Sequence, residues 1–197
     1  GPVLLERSLA IGPLENARQL GQRLAPLSAE LLVEALPRIE AAGTGPEAER
    51  LARLGVRPQG AAGLSVARLL TKADAVIDWS AAAVAIHRRV MGLYPNAHTS
   101  WRGKRLKLLA SEPLVAGFEG IKLEGIKLGG AMPGTVLAIE PGVGLVLASG
   151  AGPLLLREAQ LEGRAPALGQ ALIQQLGAGP GDRFGSAPGL LDGANPA

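Results

Sequence analysis

Two histidines, His87 and His98, are the only imidazoles in the chain, and it has no cysteine. With no carboxylate three or four residues beyond either ring, a metal site has no ligand spacing to build on. Ser80 and Ser100 each lie near a histidine in sequence, yet nothing around them marks an activated hydroxyl. The stretch GAGPGDRFG has the glycines of a phosphate-binding loop. It lacks the preceding strand and the following Lys-Ser/Thr, so it reads as a turn.

What remains is charge. Between Asp78 and Glu112 no acid occurs, while Arg88, Arg89, Arg102, Lys104, Arg105 and Lys107 all do. From Arg68 to Lys127 there are ten basic and five acidic residues, net +5; Gly1 to Ala67 balances at seven of each, and the remainder carries −2. A one-sided middle suggests a polyanionic partner; the blander alternative is the solvated face of a basic protein. Trp79, Tyr94, Trp101, Phe118 and Phe184 are too scattered to form a base-stacking platform. An RNA partner would therefore be held by phosphate contacts or by duplex shape.

These cations need a frame. At 197 residues, 47% of them hydrophobic, with 28 Gly and 15 Pro, the chain is globular and turn-rich, long enough for one domain or two small ones. No apolar run is long enough for a membrane span, and no signal peptide is evident. Opening on GPVLLERSLAI without Met, it reads as a fragment or processed product. Residues 3–11 are strand-like and end at Gly12-Pro13. Ala17, Leu20, Leu24, Leu27, Leu31, Ala35 and Ile39 then recur at helical spacing, with Asn16 as N-cap and Gly43 as the stop. Pro26 and Pro37 predict a kink or a break into two helices. This strand and helix (1–43) are too small for a core of their own and look like the last piece of a larger α/β domain. Residues 44–66 have the composition of a linker.

The next unit, 67–185, is expected to be mainly β with some α. Asp78 or Ser80 caps a helix reaching about Leu93, with Ala82, Ile86, Val90 and Leu93 as its apolar stripe, Arg88 nearly opposite and Arg89 on the flank. Trp79 packs in the core. After the Tyr94-Pro95-Asn96 turn, short apolar runs alternate with turn signals such as Arg102-Gly103 and Pro141-Gly142. They predict five or six strands and a small OB-like barrel. Glu-Gly-Ile-Lys-Leu occurs twice, at 119–123 and 124–128, as in a hairpin insertion with Lys122 and Lys127 on the same side. Residues 167–176 form a short helix. The run GAGPGDRFGSAPGLLDGANPA has the composition of a frayed tail, with 186–197 outside the barrel.

LLTKADAVIDWSAAAVAIHRRVMGLYPNAHTSWRGKRLKLL, then MPGTVLA, GLVLASGAGPLLLREAQLEGR and GPGDRFG, resemble the C-terminal domain of methionyl-tRNA formyltransferases. GPVLLERSLAIGP and the helix after it similarly resemble the end of that family's α/β formyltransferase domain. The resemblance implies transfer of a formyl group from 10-formyltetrahydrofolate to the amino group of methionyl initiator tRNA, in a cytoplasmic, monomeric, metal-free parent enzyme. The family's catalytic Asn, His and Asp fall upstream of this chain, as does the formyl donor's site, so the chain is expected to carry no catalytic residue and to be inactive alone. It also implies that the barrel's basic surface holds the tRNA. Lys72, Arg88, Arg89, Lys104 and Arg105 lead as RNA contacts. Lys107, Arg68, Lys122 and Lys127 rank behind them, and strand alternation puts Lys104 and Arg105 on opposite faces. Two departures stand out: Tyr94-Pro95-Asn96-Ala97 where the family often has aromatic-Pro-Gly-Ala, and Leu69, beside Arg68, where a Lys is common. A sugar-nucleotide formyltransferase and a non-catalytic basic module are the alternatives.

Overall fold

A computed structural model of the chain describes residues 1–60, 62–114 and 130–185. They fall into two compact units, Gly1–Gly12 with Arg18–Leu69, and Pro13–Ala17 with Leu70–Ala197. The expected hairpin at 119–128, with Lys122 and Lys127, lies outside the described residues.

The first unit is built on α1 (Ala17–Ala42). Its helical spacing is as the sequence predicts, but it runs unbroken through Pro26 and Pro37. Both prolines are exposed, so the carbonyls they leave unbonded one turn earlier can turn to water instead of ending the helix. Gly43 stops it in the left-handed conformation at φ 63°. The strand expected at 3–11 is reduced to one bridge, with the Val3 and Arg57 amides and carbonyls exchanging bonds of 2.8 and 3.0 Å. A strand forms only where a neighbour offers a ladder, and here a single residue does so.

Residues 44–66, read as a linker, contain a helix, α2 (Glu47–Leu54). Glu47 and Glu49 sit in its first turn and Arg53 in its last, the arrangement the helix dipole favours, and Gly55 closes it in the left-handed region. Arg53 also donates to the Ala42 carbonyl at 2.7 Å and the Thr44 carbonyl at 2.8 Å, satisfying acceptors at the end of α1. Two turns are too few for periodicity to emerge from composition.

The second unit is an antiparallel sheet carrying two helices. Its elements are a 3-10 turn (Lys72–Ala75), α3 (Ala83–Gly92), β1 (His98–Trp101), β2 (Lys104–Pro113), β3 (Val136–Glu140), β4 (Gly144–Ala148), β5 (Pro153–Leu161), β6 (Ala167–Leu168) and α4 (Gly169–Leu176). The strand order is β1-β2-β5-β4-β3, with β6 paired to β5. The expected β-rich class and strand number hold, but the ladder is an open sheet, so a closed barrel is not established. The segment read as a frayed tail contacts both edges. Val136 N donates to Asp182 O at 2.7 Å, Phe184 N to Gly134 O at 2.9 Å, and Gly185 N to Ser100 O at 3.0 Å. Phe184 explains the order: it is buried, with its ring centroid 4.6 Å from that of Trp101, edge to face, and 6.2 Å from that of Trp79. Burying such a ring is worth about 1.5–3 kcal/mol, enough to offset the ordering of a few Gly-rich residues.

The core runs from Ile86 and Val90 of α3 through Leu106 and Leu108 of β2, Leu145 and Leu147 of β4, and Leu154 and Leu156 of β5, to Leu172 of α4. The helix expected at 167–176 starts two residues later, because Ala167 and Leu168 are taken by the β5 ladder. One carboxylate is fully buried. Glu112 accepts from Arg157 at 3.0 Å, and that guanidinium keeps a solvent-facing side.

Candidate nucleic-acid interface

The segment before α3 sets its position. Asp78 does not cap the helix. Its Oδ1 accepts from the Ser80 amide at 2.9 Å and the Ser80 hydroxyl at 2.6 Å, making an Asx turn, and α3 begins only at Ala83. Those two bonds hold the Asp78 carboxyl below its ordinary value, the hydroxyl contributing more than the amide and Arg89 adding a smaller attraction. Trp79 is buried beneath the turn and donates from its indole to Thr99 Oγ1 at 3.0 Å. The buried stripe of α3 is Ala83, Ile86, His87, Val90 and Met91, while Ala82, expected on it, is exposed and precedes the helix.

His87 is buried. Its Nε2 lies 2.8 Å from the Pro13 carbonyl and its Nδ1 3.3 Å from Ser111 Oγ. A carbonyl only accepts, so Nε2 carries the proton. The ring serves packing and a structural hydrogen bond.

The second unit carries a groove of about 730 Å³ between the 3-10 turn, the chain after α3, and β1–β2. Lys72, Arg105 and Lys107 line it together with His98. The register explains the grouping. His98 faces Lys107 across β1–β2, and Arg105, two residues from Lys107, falls on the same side of the sheet. His98 Nδ1 donates to the Asn96 carbonyl at 3.0 Å, leaving Nε2 as the ring's remaining polar atom. One acid lines the groove, Asp74, and its Oδ2 accepts from the Thr71 amide at 2.7 Å and hydroxyl at 2.8 Å. Among the described residues, Lys72, Arg105 and Lys107 have no ion-pair partner. Arg102, from the same basic run, pairs with Asp182 at 3.6 Å and lies over the Trp101 ring at 4.6 Å.

The other expected contacts are placed differently. Arg88 is exposed on α3, and Lys104 is exposed at the start of β2; neither lines the groove. Arg89 donates to the carbonyls of Asp74 at 3.2 Å and Val76 at 3.3 Å, fastening the 3-10 turn to α3, and it borders a separate hollow of about 90 Å³ with Asp78 and Ile86. Arg68 belongs to the first unit, and its Nη1 donates to the Leu69 carbonyl at 3.0 Å. Sequence reasoning missed His98. The signal for it was the hairpin at Arg102-Gly103, which counts His98 opposite Lys107. Among the described residues no cluster of three or more His, Asp or Glu could hold a metal, and no helix is long and apolar enough to cross a membrane.

Comparison with known proteins gives the family of the chain. The family described as formyl transferase, C-terminal domain, matches residues 69–177. Among curated relatives, the methionyl-tRNA formyltransferase of Synechococcus sp. (strain RCC307) is 60% identical over 182 residues, covering 89% of this chain and 55% of the relative. Those of Parasynechococcus marenigrum (strain WH8102) and Synechococcus sp. (strain CC9605) are 54% and 53% identical, over 90% and 94% of this chain and 54% and 56% of their own lengths. The chain thus spans a little over half the length of these relatives.

Proposed function

The chain belongs to the formyl transferase C-terminal domain family, and from that premise we propose that it is the tRNA-holding part of a methionyl-tRNA formyltransferase. The whole enzyme, cytoplasmic and monomeric in this reading, passes a formyl group from 10-formyltetrahydrofolate to the amino group of methionyl initiator tRNA. Formyl donor and chemistry are assigned to the part of the relatives that this chain does not cover, so the chain alone holds the acceptor and does not turn it over. The observation that carries the reading is the groove. It collects Lys72, Arg105 and Lys107 on one side of the sheet, with no ion-pair partner among the described residues. Cations that outnumber the one acid of the groove, Asp74, and are not paired with it are what a phosphate backbone requires, and the counterions released on binding make it depend on salt.

The test is a fluorescence-anisotropy titration of labelled initiator tRNA with the 197-residue chain at several KCl concentrations, with a sugar nucleotide as competitor. The expected result is a log affinity that falls linearly with log salt and is unmoved by the sugar nucleotide. Affinity independent of salt, or full displacement by the sugar nucleotide, overturns the assignment.

A further inference from the structure

The groove that gathers the cations is not lined by polar groups alone. Its floor includes Leu70, Val76, Leu93 and Tyr94 beside Lys72, Arg105 and Lys107. Leu70 and Val76 are 69% and 49% exposed, an arrangement that costs free energy unless something covers them. A duplex backbone meeting this surface would satisfy the cations and leave the apolar floor wet, since phosphates and ribose edges on a convex helix bring little apolar area into a concavity. A ligand that answers both features carries a phosphate on one side and a flat, weakly polar body on the other. About 730 Å³ lies within the roughly 300–1,000 Å³ of sites that enclose small organic molecules. His98 also lines the groove and has Nε2 left for a hydrogen bond, its Nδ1–H being used by the Asn96 carbonyl.

From these features we infer that the groove seats an unpaired nucleotide of the bound RNA. The phosphates of that nucleotide and its immediate neighbours lie among Lys72, Arg105 and Lys107, one to each cation, and its base and ribose lie over Leu70, Val76, Leu93 and Tyr94. This rests on the reading of the chain as an RNA binder and names which form of RNA the groove takes. One aromatic ring is enough for one base, so the scarcity of aromatics across the chain does not weigh against it. The two chemistries separate cleanly. The cations govern the salt dependence, and the apolar floor governs preference for an unpaired nucleotide over a duplex.

The experiment compares the chain with a Leu70→Ser/Val76→Ser variant, both positions being exposed enough for the fold to survive; equal thermal midpoints confirm that it does. The probes are an unstructured single-stranded RNA of about twenty nucleotides and a blunt RNA duplex of about ten base pairs, which carry nearly the same number of phosphates. The ring resonances of Tyr94, the only tyrosine, report occupancy of the groove. Expected are tighter binding of the single strand, shifted Tyr94 signals on its addition, and a loss of about fivefold in single-strand affinity in the variant, with the salt slope unchanged. Equal binding of strand and duplex, with Tyr94 unmoved, overturns the inference even where a salt-dependent tRNA affinity upholds the RNA-binding role. So does a variant that binds the single strand as well as the parent chain. Absence of any RNA affinity, by contrast, removes the role itself.

Discussion

Replacing the groove cations one at a time, as Lys72→Ala, Arg105→Ala and Lys107→Ala, should change how steeply initiator tRNA binding depends on salt. Each phosphate neutralised contributes about −0.9 to the slope of log affinity against log salt on a duplex and about −0.7 on a single strand. Three contacts therefore predict a groove contribution of roughly −2 to −2.7, or a loss of about 20- to 40-fold in affinity between about 50 and 200 mM salt. Each single variant should flatten the slope by about 0.7–0.9, so that its affinity falls about threefold less than the parent's over the same range. Arg102→Ala is the internal control. Its guanidinium is occupied by Asp182 and the Trp101 face, so the slope should not change although some stability is lost. The assay is anisotropy of labelled tRNA at four or more salt concentrations. If all three groove variants keep the parent slope while Arg88→Ala or Lys104→Ala flattens it, the RNA lies on another face and the geometric reasoning fails.

Two further outcomes follow from the segment before α3. A Cβ at Gly150 would lie 1.7 Å from the Ser80 carbonyl oxygen, and the Gly150 amide is pinned between the Trp79 and Ala81 carbonyls at 3.0 and 2.9 Å. Gly150→Ala should therefore cost at least about 3 kcal/mol and lower the thermal midpoint by roughly 10 °C; a shift under about 2 °C would mean the backbones are not this close. The Asp78 carboxyl is held below its ordinary value of 3.8, so its stabilising effect is complete above that value and is lost as pH falls through the folded-state one. The difference in midpoint between the parent and Asp78→Asn should be flat from neutral pH down to about 4 and should narrow only below it; narrowing already near pH 6 would assign the effect to another group.

The helical core of the first unit was legible because α1 repeats Leu20, Leu24, Leu27 and Leu31 within its own length, and a helix needs only local information. The start of α3 was not. Asp78 could cap a helix or bend onto Ser80, and the choice depends on Trp79 being drawn under the turn to reach Thr99, twenty residues away. Residues 177–185, read as part of a frayed tail, were misjudged for the same reason. Their glycines speak for disorder, and their one ring, Phe184, finds Trp101 and Trp79 only after the sheet has formed.

For the site, composition fixed the sign of the local charge. An acid-free run between Asp78 and Glu112 makes this part of the chain cationic whatever its fold. Which cations act together depended on register. Antiparallel pairing of β1 with β2 sets His98 against Lys107, carries Arg105 to the same side and leaves Lys104 outside the groove, while Arg89 turns back to hold the chain that presents Lys72. Charge is a property of each residue alone, so the amino-acid order reveals it. A groove is made by backbones that meet across long stretches of chain, and a slip of one residue in their pairing would turn every one of those side chains to the opposite face.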